Sequence, residues 1–217
     1  MNKQTGFTLI ELAIVLVIIG LLLGGVLRGQ ELINSAKVKN MANDFRSIPV
    51  YIYGYQDKFK ALPGDDGAAG TANAGGHVAS FASGDGDGKI EGAWNSSTPG
   101  DESAKFWEHV RLAGLATGST TISTATATSG FFPTNADGGR IGVSGVLPII
   151  SLPGAYFMCS GGILGKYAKQ LDSTIDDGTP NGGSLRATTG TSFAVATPES
   201  AATSWVDSDS YTLCQGF

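Results

Sequence analysis

Between Phe7 and Leu27 only Thr8 and Glu11 interrupt an apolar run. Its 21 residues make roughly 31 Å of helix at 1.5 Å per residue, about one hydrocarbon core. Beyond Arg28 the apolar positions continue at a sparser spacing. Val38, Met41, Phe45, Ile48, Ile52, Tyr55 and Phe59 step alternately by three and four, which is one stripe along a helix. Glu31, Lys37, Lys39, Asn43, Asp44 and Arg46 lie off it. Pro49 predicts a kink, and Leu62-Pro63-Gly64 predicts the helix end. A coiled coil is the other reading of such a stripe. One stripe with a proline inside it favours packing on a sheet.

After the long helix the pattern breaks into short pieces. Asp65 to Ser83 is rich in Gly, Ala and Asp and reads as loop. Asp101 to Leu115 predicts a second helix, with Asp101 as its cap, Gly114 as its stop, and Phe106, Trp107, Val110 and Ala113 on one face. Thr117 to Gly130 is low in complexity, a loop or an edge strand. Arg140–Ile150 and Gly154–Cys159 are strand candidates. Ile163, Leu164, Tyr167, Ala168 and Leu171 recur at helical spacing and predict a third helix. Asp172 to Arg186 reads as an acidic turn region, followed by strands at Ser192–Ala196 and Ser210–Cys214. The fold class is therefore α+β. Residues 62–217 form the head and residues 28–61 the amphipathic half of the long helix.

Composition narrows the class. The chain holds 32 glycines, 15% charged residues and a net charge of −5. No cluster of Lys and Arg appears, so the head is not expected to contact nucleic acid. Such a thinly charged, loop-rich head suits the outside of a cell better than the cytosol.

Glu11 is the chemical anomaly of the apolar run. A carboxylate at membrane depth costs a few kcal/mol, unless it snorkels to the interface or meets a cation. Lys3 on the short N-terminal side sets that end cytoplasmic. A cleaved secretory signal is a rival reading, but the run is long for one and no Ala-x-Ala site follows Leu27.

Gly6-Phe7-Thr8-Leu9-Ile10-Glu11-Leu12 resembles the signature of the type IV pilin and type II secretion pseudopilin superfamily. The resemblance covers about the first 30 residues. It implies that residues 1–6 are a leader removed by a prepilin peptidase between Gly6 and Phe7, and that Phe7 becomes N-methylated. Residues 7–27 would serve first as a membrane segment and then as filament core. Glu11 would pair with the Phe7 amine of a neighbouring subunit. An ammonium and a buried carboxylate that are each unfavourable alone offset one another when paired. The implied fold is a long N-terminal helix packed on an antiparallel sheet head with short extra helices. Where the family often has a Pro, this chain has Arg28, with Gly24 and Gly25 nearby, so melting of that segment on assembly stays open.

Cys159 and Cys214 are the two cysteines. In an extracellular head they read as a disulfide, similar to the C-terminal disulfide loop of many type IV pilins; two buried thiols are the alternative.

Calcium enters as a possible cofactor, with none required. Ser83, Asp85 and Asp87 take positions 1, 3 and 5 of a calcium loop, and Lys89 offers its carbonyl at 7. Trp94 stands where the bidentate Glu belongs, so Glu91, Asp101 or Glu102 would have to substitute. A polar Gly-Asp turn explains the same residues. Asp176 and Asp177 are similar to calcium ligands in some pseudopilin C-terminal loops, and turn formation accounts for them equally well.

No catalytic set appears. His77 and His109 are the only histidines, and neither falls in a recognisable nucleophile, metal or phosphate motif. An enzyme is not expected. The reading is a structural subunit that polymerises through its N-terminal helix into a type IV pilus or pseudopilus. The alternative is a minor pilin whose head binds a ligand, surface or DNA. Expected partners are other pilin subunits, the prepilin peptidase and inner-membrane assembly machinery. The expected location is the inner membrane, then a periplasmic pseudopilus or a cell-surface fibre.

Overall fold

The computed structural model describes residues 9–70, 77–80, 83–122, 130–190, 193 and 197–217. Contacts divide the chain into two units, Met1–Lys37 and Val38–Phe217. Helix α1, Leu9–Phe59, contributes to both. Its first part is apolar and exposed, from Leu9 through Leu27 and on to Leu32 and Ile33. It is long and apolar enough to cross a membrane.

Within the second unit α1 buries the expected stripe: Val38, Met41, Ala42, Phe45, Ile48, Ile52 and Tyr55. Pro49 lies inside the helix without ending it. The end comes at Phe59, short of the expected Leu62, where Lys60 adopts a left-handed φ of 56°. Helix α2, Glu102–Leu112, is buried nearly all round, not on one face as expected. Asp101 occupies its N-cap position but makes no side-chain cap; its carboxylate accepts the Ser96 hydroxyl instead.

The sheet has four antiparallel strands: β1 Ile141–Ser144, β2 Phe157–Leu164, β3 Leu185–Thr188 and β4 Ser210–Gly216. Their order is β1-β2-β4-β3. Helix α3, Gly165–Ile175, joins β2 to β3. Side chains alternate between the two faces. Val143, Met158, Leu213, Leu185 and Ala187 join the α1 stripe in the main core. Phe157, Cys159 and Cys214 face a second core with Trp94, Ile149 and Leu152.

Several expected boundaries move. The Arg140–Ile150 strand shortens to Ile141–Ser144, because the Gly145 N–H turns to the Ile90 carbonyl at 2.7 Å. Ile163 and Leu164, expected in the third helix, pair with Tyr211 and Ser210 and extend β2 through a bulge. β3 begins at Leu185, at the end of the Asp172–Arg186 segment expected to be turn, and runs on to Thr188. Its Leu185 and Ala187 pack inward at strand spacing, a short signal masked by the glycines around it. Ser192 and 194–196 lie outside the described residues, as do 71–76 and 123–129.

The disulfide between Cys159 and Cys214 is present. The two residues sit directly opposite each other in the β2–β4 register, 4.1 Å apart at Cα. The bond closes a loop with a sequence separation of 55 that carries α3 and β3. Loop-closure entropy for that span is roughly 4 kcal/mol. The non-reduced protein should therefore show no titratable thiol. A Cys159→Ala, Cys214→Ala variant should unfold at lower denaturant by about that free energy.

Candidate functional site

Glu11 lies in the first turn of α1 and is exposed. A carboxylate there is favoured by the positive end of the helix dipole. Gly6 and Phe7 fall outside the described residues. The apolar side chains around Glu11, Leu9, Ile10, Leu12, Ile14 and Val15, are each at least half exposed. Such a surface needs lipid or other apolar helices around it.

The head carries its polar chemistry in buried carboxylates between α1 and α2. Asp65 is 3% exposed. It accepts the backbone N–H groups of Gly86, Asp87 and Gly88 at 2.7, 3.1 and 2.9 Å. Gly86 and Gly88 have φ of 80° and 91°, which lets the chain curl its amides round one side chain without a Cβ penalty. Glu102 accepts the amides of Asp85 and Glu91 at 3.1 and 3.0 Å. Burial raises the carboxyls of both Asp65 and Glu102 above the ordinary range, against the pull of those amides.

Asp66 is the contrasting case. Burial pushes its carboxyl up, but the Tyr55 hydroxyl, the His77 ring and the Ala68 amide together hold it below the usual value. Tyr55 Oη lies 2.7 Å and His77 Nδ1 2.8 Å from Asp66 Oδ2. The His77 ring also stacks on Phe59, the last residue of α1.

Folding brings together a Ser, a His and a Glu that lie apart in sequence. His109 Nε2 is 3.0 Å from Ser80 Oγ, and Ser80 Oγ donates to Glu108 Oε2 at 2.9 Å. All three are buried. The direction of donation decides what this group can do. The Gly64 N–H donates to His109 Nδ1 at 2.9 Å, so the neutral ring carries its proton on Nε2 and donates it to Ser80. A base that activates a serine must accept from it. Here the chain of donors runs from Gly64 to Glu108, as a structural bridge would.

Of Ser83, Asp85, Asp87, Lys89 and Glu91, Asp85 alone enters an acidic cluster, with Asp65 and with Glu102, one of the expected substitute ligands. The Ser83 hydroxyl bonds to the Ala69 carbonyl. Asp87 accepts the Lys89 N–H and lies 3.8 Å from Lys89 Nζ. Glu91 offers its N–H to Glu102 while its side chain is exposed. The expected ligand set is thus rearranged around Asp65, which sequence spacing did not single out. A second cluster joins Asp172 to Asp176 and Asp177.

A long N-terminal helix, a disulfide-closed antiparallel sheet and short extra helices define a pilin-like α+β architecture. Residues 1–27 match the family model of the prokaryotic N-terminal methylation motif, which is the prepilin-type cleavage and methylation segment. Searches of curated proteins and of solved structures find no significant match to the chain.

Two outcomes follow for the head. Asp65→Ala leaves three amides without their acceptor and should destabilise it by about 2–4 kcal/mol, read as a denaturant midpoint. The folded-state pKa of Asp66 lies below its ordinary 3.8, so its stabilising effect is fully present above about pH 4 and is lost on acidification through the folded value. Tyr55→Phe removes one of its donors, so the variant should lose less stability than the wild type as pH falls below about 4 in acid-melting curves.

Proposed function

We propose that this protein is a filament subunit of the type IV pilus and pseudopilus class. It is made as a membrane-inserted precursor, cut between Gly6 and Phe7 by a prepilin peptidase, and methylated on Phe7. It then assembles with other pilin subunits through α1 with the help of inner-membrane machinery. The observation that carries this reading is the split character of α1. The methylation-motif segment, residues 1–27, leads into a helix whose apolar residues are exposed up to Ile33 and buried as a stripe from Val38. One part is suited to lipid and then to neighbouring helices, the other to holding a head.

Glu11 gives the assembly its register. It stands fifth from Phe7. A neighbour's new ammonium at Phe7 would neutralise it as both leave the membrane. The head acts as a structural body. Its buried Ser80–His109–Glu108 bridge donates in the wrong direction for nucleophilic catalysis. The apolar surface is consistent with membrane insertion before assembly and a final place in a periplasmic or surface fibre.

Mass spectrometry of sheared filaments should find a subunit that begins at Phe7 and carries one added methyl group. Retention of Met1 in assembled fibres would overturn the reading. Glu11→Ala should insert normally and yield at least about tenfold fewer filaments, because the partner ammonium is then buried alone. A normal yield would show that Glu11 takes no part in assembly.

A further inference from the structure

Asn181 is the one asparagine of the chain that a glycine follows. It is exposed, and its carboxamide makes no hydrogen bond among the described residues. It stands in the turn between α3 and β3, where Pro180 precedes it and Gly182 and Gly183 follow. Packing fixes both glycines. A Cβ at Gly182 would collide with Thr179 Oγ1 and Asp177 Oδ2, and one at Gly183 with Asp176 Oδ2. Hydrogen bonds hold those side chains in place. Asp177 Oδ1 accepts the Thr179 amide and hydroxyl at 2.8 and 2.6 Å, and Asp176 Oδ2 accepts the amides of Ser184 and Leu185 at 2.6 and 2.9 Å. Gly183 also has a φ of 54°, which favours glycine. The fold thus leaves Asn181 with no flanking side chain on its C-terminal side.

We propose that Asn181 is a site of spontaneous deamidation, at which the Gly182 backbone nitrogen is the nucleophile and water the only co-reactant. Asparagine is among the chemically labile residues of proteins. Nucleophile and carbonyl on one chain make the first step unimolecular. The Gly182 nitrogen gives up its proton to solvent and attacks the Asn181 side-chain carbonyl carbon. A C–N bond forms there, the carboxamide C–N bond breaks, and the side-chain nitrogen takes a proton from solvent and leaves as ammonia. The five-membered succinimide then adds one water at either of its two carbonyls. Opening at one yields aspartate. Opening at the other yields isoaspartate, whose main chain runs through the side-chain carbon. Nothing is oxidised or reduced, and one carboxylate replaces one neutral amide.

The geometry selects this asparagine over others. Ring closure needs a loosely held amide and a side chain free to rotate onto it. The Gly182 N–H reaches the Thr179 carbonyl at 3.3 Å, longer than the ~2.9–3.0 Å typical of such bonds. After Asn95, by contrast, the Ser96 N–H is held by the Ala93 carbonyl at 2.9 Å. Asn135 is buried, and its side chain donates to Ser160 and Gly161 and accepts the amides of Asp137 and Gly139. Asn34, Asn40 and Asn43 lie within α1, where backbone amides are committed to the helix. The consequence for the head is local. The new carboxylate enters a turn in which Asp172, Asp176 and Asp177 each place an oxygen within 4.8 Å of the others. Isoaspartate also lengthens the main chain by one carbon just before β3, whose Leu185 pairs with Gln215 of β4.

The test uses the full chain in detergent, held for several weeks at physiological temperature in mildly alkaline buffer and sampled by tryptic mass mapping. The peptide Gln170–Arg186 contains no other asparagine. It should gain the mass that –OH has over –NH₂, as two separable products, and fragmentation should place the gain at residue 181. In water labelled with heavy oxygen, each product should carry one labelled atom. The change should slow in mildly acidic buffer, where less of the amide is deprotonated. Peptides that contain Asn95 or Asn135 should change more slowly by an order of magnitude or more. Asn181→Gln keeps a carboxamide but would have to close a six-membered ring. It should melt as the fresh wild type does and react more slowly by an order of magnitude or more. A Gln170–Arg186 peptide that stays unchanged over that time overturns the site. So does a mass gain that persists at the full rate in Asn181→Gln, or an Asn95 or Asn135 peptide that changes as fast as the Asn181 one.

Discussion

Backbone N–H groups that end on buried carboxylates hold the head together where its side chains are too small to do so. A chain with 32 glycines has long stretches with little apolar surface to bury. The loop at Gly86–Gly88 illustrates the substitute. Three amides converge on Asp65, two more near it on Glu102, and the loop is fixed between α1 and α2 without a large apolar residue of its own. The arrangement requires that charged groups leave water, and burial raises the carboxyls of Asp65 and Glu102 in consequence. Charge-assisted bonds to N–H groups are among the stronger hydrogen bonds, which is why the exchange is favourable.

The parts of this structure that sequence pattern revealed are those with local causes. The α1 stripe repeats over seven positions, and six of them are buried. The cysteine pair and the prepilin-type segment were likewise readable from residue type and spacing. The sheet was less legible because both of its faces are covered. Phe157 and Cys159 serve one core while Met158 serves the other, so β2 shows no apolar alternation to mark its ends. Ile163 was read as helical because it stands four residues before Tyr167, yet a bulge after Ser160 keeps it in the strand. Asp85 and Glu102 were both named for the Gly-Asp run, but the central place of Asp65 was invisible for another reason. Asp65, Asp85 and Glu102 meet only after the chain has turned back twice, and no spacing rule connects them. Ser80 and His109 were missed in the same way.

The long helix meets two opposite solvent requirements with one secondary structure. An α-helix satisfies its own backbone, so it can pass from an apolar to an aqueous setting without exposing unbonded peptide groups to lipid. What changes along α1 is the decoration. Toward Leu9 the apolar side chains cover the exposed surface, and Glu11 is the one acidic residue before Glu31. From Val38 onward the apolar side chains narrow to a stripe that the head covers. Pro49 forfeits one backbone hydrogen bond within that second part. Ile48 and Ile52 on either side of it stay at 2% exposure or less, so side-chain packing carries the helix through the defect.

Two acidic clusters in the head show why residue counting alone does not locate a cation site. At Asp65 the surrounding backbone presents N–H groups, the positive ends of peptide dipoles, and these already occupy both carboxylate oxygens. An ion placed there would have to displace donors that hold the loop in shape. At Asp172, which is as deeply buried, the Gly178 N–H is the one backbone donor that acts on the carboxylate, and its effect is smaller than that of burial. The amides of that turn go to Asp176 and Asp177, each at one oxygen. The Gly-Asp run that resembles a calcium loop has folded its amides inward around an acid of the same chain. The turn between α3 and β3 instead keeps Asp172 buried beside Asp176 and Asp177, and burial, followed by the charge of Asp177, raises its carboxyl to about 7.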